Sequence, residues 1–167
     1  MFLMLRRKVV FMLIEVFEHA VWTIERFRVG DDKPYNVSTI IGNIMLGVGI
    51  EQLWKLVAGT DADHYDNAHA EIGVGTGDAA EDRTHSGLQG GTKTYAGMEA
   101  TFPQIGSDVD RCITFKSSFG DGVAEHDWKE FVVWNKSAGI CLVRKVSDEG
   151  TKGSGLVWTV QLAITLG

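Results

Sequence analysis

The stretch from Gly155 to Leu166 constrains this chain more than any other. Leu156, Trp158, Val160, Leu162, Ile164 and Leu166 fall on every second residue, and Val157, Thr159, Gln161, Ala163 and Thr165 lie between them. Side chains alternate faces along a strand, so the pattern predicts one long strand with a continuous apolar face. Such a strand needs hydrogen-bonded neighbours and a second layer over that face.

The remaining segments supply both. Val21 to Val29 and Asn36 to Ile41 read as a hairpin around the turn cluster Gly30 to Pro34. Asn43 is the expected N-cap of a helix whose apolar stripe is Leu46, Ile50, Leu53, Trp54 and Val57, with Gly59 at its end. Gly47 and Gly49 weaken that helix, so packing must hold it. Residues 60–69 read as a loop, Ala70 to Val74 as a short strand and residues 75–91 as a long, Gly-rich surface loop. Strands are expected over Lys93 to Phe102, Val109 to Phe119 and Ile140 to Val146. The run around Trp128 to Trp134 is apolar at both parities, which predicts burial on both faces. About eight strands in one domain imply a mainly β fold: an antiparallel β-sandwich or jelly-roll-like domain over residues 20–167, with one short helix.

Residues 1–19 form an N-terminal arm dense in Phe, Leu, Met and Val, whose mixed periodicity fits a helix or an extended peptide. The apolar run Val9 to Ile14 is too short for a signal peptide or a membrane span. Left bare, the arm exposes too much apolar surface, so it is expected to cover its own domain or dock on a neighbour. A net charge of −6 and a pI of about 5.3 argue against broad nucleic-acid binding. Cys112 and Cys141 both fall in predicted strands and read as buried, reduced thiols.

Motifs for chemistry fail on spacing. Gly73-Val-Gly-Thr-Gly77 looks like a nucleotide loop, but no apolar helix follows, and Asp78, Glu81 and Asp82 would repel phosphate. Asp61, Asp63 and Asp66 lack the glycine and glutamate of a calcium loop. His64, His69, His85 and His126 show no metal spacing, and Ser86 beside His85 makes no triad. The five tryptophans sit on elements whose periodicity accounts for most of them as core. No catalytic residue, cofactor or metal is expected.

Several stretches in order carry a resemblance. They are Trp22-Thr-Ile-Glu-Arg-Phe, Gly42-Asn-Ile-Met-Leu, Gly49-Ile-Glu-Gln-Leu-Trp, Asn67-Ala-His-Ala-Glu-Ile-Gly-Val-Gly-Thr-Gly and Leu88-Gln-Gly-Gly-Thr-Lys. Met98 to Pro103, Phe115-Lys-Ser-Ser-Phe-Gly, Trp128-Lys-Glu-Phe-Val-Val-Trp-Asn, Arg144-Lys-Val, Gly150-Thr-Lys and Trp158-Thr-Val-Gln-Leu follow. Over roughly residues 21–167 this resembles small structural proteins of tailed bacteriophages, of the capsid decoration or cement type. The resemblance implies a non-enzymatic virion component at the capsid surface that binds the major capsid protein or other virion proteins. A homo-oligomer is expected. In that setting Phe2, Leu3, Leu5, Phe11 and Phe17 are candidate anchors in the arm, and Arg6, Arg7 and Lys8 candidate partners of acidic groups. The alternative is a head-fibre, minor tail or adhesion module that binds a host glycan or receptor through exposed aromatics and the loops at 60–69 and 75–91.

Overall fold

A computed structural model describes residues 18–106 and 111–166. The strands are β1 (Glu18–Arg28), β2 (Asn36–Ile41), β3 (Ile44–Met45), β4 (Ala70–Gly75), β5 (Lys93–Gly97), β6 (Gln104–Ile105), β7 (Cys112–Phe119), β8 (Glu130–Asn135), β9 (Ile140–Val146) and β10 (Leu156–Leu166), with helix α1 (Gly47–Val57) between β3 and β4. They form two antiparallel five-stranded sheets. Sheet A runs β2-β1-β10-β7-β6 and sheet B runs β3-β9-β8-β4-β5. The fold is therefore mainly β, a two-sheet sandwich, as the alternation predicts.

The long strand is central to sheet A, paired along its whole length with β1 from Glu18↔Leu166 to Arg28↔Leu156 and with β7 on its other side. Its predicted apolar face turns inward: Trp158, Val160, Leu162 and Ile164 are buried among Trp22, Ile24, Phe115 and Phe119 of sheet A and Ile72, Val74, Phe131 and Val133 of sheet B. Ring edges lock the layers together. Trp128 stands edge-on to Trp158 at 4.7 Å and to Phe119 at 4.9 Å, and Trp22 tilts against Phe131 at 5.7 Å. Burying each such side chain contributes about 1.5–3 kcal/mol.

Sheet B is covered on its outer side too. Val132 and Cys141 pack with Leu46 and Leu88, flanked by Ile44, Val48, Tyr95 and Trp134. This third layer explains the double-sided burial of β8. It also revises residues 75–91, which are not a bare surface loop. Leu88 is buried there, and the segment straps across sheet B.

Two helix expectations are corrected. Asn43 is not the N-cap; that place belongs to Leu46, which offers no side-chain cap. The Asn43 Nδ2 is buried and has no hydrogen-bond partner among the described residues. The fully buried residues of α1 are Gly49 and Gln52. Of the expected stripe, Leu46 is buried just before the helix and Leu53 packs against the core, while Trp54 and Val57 are 67% and 78% exposed. The cause is a close approach to β9. A Cβ on Gly49 would lie 2.5 Å from the Leu142 carbonyl oxygen, so only glycine lets the helix sit there. Gly59 does end the turn, at φ +66°.

Strand bounds shift in places. β1 opens at Glu18, before the expected Val21. The strand expected over Lys93 to Phe102 stops at Gly97, and the unexpected β6 follows. Val109, expected in β7, lies outside the described residues, and Arg111 stands just before the strand with φ +76°.

Candidate functional site

Charged groups buried in a fold cost free energy unless they are paired and hydrogen-bonded. Glu130 on β8 and Arg144 on β9 face outward from sheet B and are both fully buried, with Nη2 to Oε2 at 2.9 Å and Nε to Oε2 at 3.0 Å. The strap closes around them. The backbone N–H groups of Gly77, Gln89 and Gly90 donate to the Glu130 carboxylate at 2.7–3.0 Å. Arg144 donates to the carbonyls of Ala79 and Ala80 and faces His85 Nδ1. Burial alone would raise the Glu130 carboxyl; the Gln89 and Gly90 N–H groups and Arg144 outweigh it and hold it below the ordinary carboxylate range.

Gly77 of the apparent nucleotide loop and Gly90 further along the strap have their role here. A Cβ on Gly77 would lie 2.5 Å from Glu130 Oε1, and one on Gly90 would collide with the Gly77 nitrogen. The loop does cradle an anion, but the anion is the protein's own carboxylate. The sequence carried a signal for it: Glu130 and Arg144 stand at positions of one parity in neighbouring, mostly apolar strands.

Two further polar clusters also hold loops. Lys152 is fully buried, and its Nζ donates to the carbonyls of Gly120 and Val123 at 2.8 and 2.9 Å. Burial lowers its ammonium pKa, against the pull of Glu125 and Asp121. Arg26 pairs with Glu149 at 2.7 Å, donates to Asn36 and Ser38, and lies over the Trp158 ring. Asp61 and Asp66 accept from backbone N–H groups two or three residues on, as Asx turns do. Among the described residues no three His, Cys, Asp or Glu side chains are grouped to hold a metal, and no helix is long and apolar enough to cross a membrane. Cys141 is buried, which pushes its thiol up to about 12, and Cys112 is buried at the start of β7.

Among the described residues, an open feature lies at one end of the sandwich. An apolar cavity of about 280 Å³ lies there, walled by the buried Phe115, Leu142 and Ile164 and by Leu53 of α1. Its rim is Ile105, 84% exposed, Leu166, 45% exposed, and the exposed Arg111. Helix α1 brings the exposed Trp54 and Val57 alongside Leu53 in sequence. Glu18 pairs with Leu166, so the arm joins the fold beside this rim. Phe2, Leu3, Leu5, Arg6, Arg7, Lys8, Phe11 and Phe17 all lie outside the described residues. The rim residues were missed from sequence, because parity places Leu166 on the core face and β6 is too short to show a period. The chain matches no family model, no curated protein and no solved structure.

Proposed function

We propose that this is a non-enzymatic structural protein of a tailed-phage virion, a capsid decoration protein that binds and stabilises the major capsid shell. The observation that carries the reading is the apolar end of the sandwich. Exposed Ile105 and Leu166 ring an apolar cavity at the place where the apolar arm enters β1. Few exposed apolar groups cluster this way without a partner, and a handful of large apolar anchors dominate most interfaces. The buried charges support the same reading, since each is taken up in holding a loop. The arm residues Phe2 to Phe17 would add anchors, and Arg6, Arg7 and Lys8 would meet acidic groups on the shell.

The test is rebinding to particles stripped of the protein, with occupancy read by cryo-EM. Deletion of residues 1–17 and, separately, Ile105→Asp are each expected to lower occupancy at least tenfold while the fold is kept. Full, regular occupancy by both variants would count against the reading. The exposed Trp54 favours a second reading, adhesion to a host glycan or receptor. Density confined to the tail or to isolated vertices would support that one instead.

A further inference from the structure

A sandwich has free sheet edges, and each is a template for another strand unless it is blunted. Sheet A ends in β2 and β6, and sheet B in β3 and β5. β3 and β6 are two residues long. β5 carries Lys93 and Gly97, the next residue bridges to Ser117, and the Ala96 carbonyl accepts from Ser117 Oγ. Among the described residues, β2 has none of these safeguards. It reads Asn-Val-Ser-Thr-Ile-Ile, with no charge, proline or glycine, and Val37 and Ile41 are 51% and 69% exposed.

The register fixes which backbone groups are free. Gly42 N donates to Ala20 O, and Val29 N to Gly155 O. Even residues of β1 therefore bond toward β2 and odd ones toward β10. On β2 the residues opposite even partners, Ser38 and Ile40, bond inward. Val37, Thr39 and Ile41 turn their N–H and C=O groups to the open edge. The strand is already held in place from its inner face, where Asn36 and Ser38 bond to Arg26 and Ser38 to Glu149. Little ordering remains to be done on pairing.

We propose that β2 pairs antiparallel with β2 of a second copy, about a two-fold axis at Thr39. This is independent of the virion assignment. The segment is self-complementary about that residue: Thr39 faces Thr39, and Val37 faces Ile41 in both directions. Those three pairs exchange about six main-chain hydrogen bonds, and their exposed side chains form the apolar and Thr–Thr cross-strand contacts that stabilise a ladder. The two A sheets become one continuous sheet. No charged side chain of β2 meets its like. The turn after β1, with Asp31 and Asp32 beside Lys33, comes toward the partner's Gly42 end, where Lys145 Nζ stands 4.0 Å from the Cβ position of Gly42.

The experiment is sedimentation equilibrium of the full chain across the micromolar range, with two variants. The wild type is expected to dimerise. Thr39→Lys sets two ammonium groups opposite each other and is expected to give a monomer that still melts cooperatively, without the concentration dependence of the dimer. Thr39→Cys is expected to form a disulfide dimer under mild oxidant and Val37→Cys is not, because only position 39 meets itself. The native cysteines are buried and do not compete. A wild type that stays monomeric overturns the proposal. So does a dimer that survives Thr39→Lys and gives no disulfide through Thr39→Cys, which would place the contact on the arm or the apolar end.

Discussion

Glu130 and Arg144 are fully buried, and their lone pairs and protons are used by two strands and a strap. A buried pair of this kind adds little net stability, but removing one partner strands the other charge. Arg144→Met is therefore expected to cost about 3–5 kcal/mol. The double variant Glu130→Gln/Arg144→Met should recover part of that loss, because no bare charge is left; urea denaturation of both would show it. The pair also sets an acid limit. In the unfolded chain the Glu130 carboxyl has its ordinary pKa of 4.5. In the folded chain it takes its proton at lower pH, so its contribution is whole above pH 4.5 and drains away as pH falls through the folded value. Glu130→Gln should be less stable than wild type at pH 7, with the gap closing on acidification. A gap that does not vary with pH would show that this carboxylate is not what titrates.

Among the elements, α1 shows how packing overrides propensity. Replacing Gly49 with Ala in an isolated helix gains about 1 kcal/mol. Here the added methyl meets the backbone of Cys141 and Leu142 at 2.5–2.7 Å, which cannot yield as a side chain would. Overpacking wins, and Gly49→Ala is expected to lower stability by about 1–3 kcal/mol in a thermal or urea melt. The strands were far more legible than the helix. β2 and β9 match their expected bounds, and the inward face of β10 follows its parity, because one buried face imposes a period of two on the residues themselves. The helix misled because its closest contact is made by a missing side chain at Gly49 and a polar one at Gln52, so its apolar stripe marks only part of its buried side. The strap misled for a related reason. Gly77 and Gly90 serve a carboxylate forty or more residues away in sequence, and spacing along a loop does not record such a contact. The candidate end surface is assembled from β6, β10 and α1, and no single segment announces it.

For the molecule as a whole, the features divide by direction. Among the described residues, sheet B is roofed by the strap and helix, the cavity opens at one end, and β2 leaves one side edge without a strand neighbour. The full-length pairing of β1 with β10 has a mechanical consequence. Glu18 and Leu166 sit opposite each other at one end of that ladder. Tension applied between them opens the hydrogen bonds pair by pair, as a zipper opens. Tension between Glu18 and Ser154, just before the other end of β10, loads all the rungs together in shear. In optical-tweezer pulling, handles at 18 and 154 should rupture at clearly higher force than handles at 18 and 166, and equal forces would show that another element yields first. The sandwich is thus strong along its strands and weak across one corner, so a strut made of it would bear load well only if its two anchorages lay at opposite ends of the ladder.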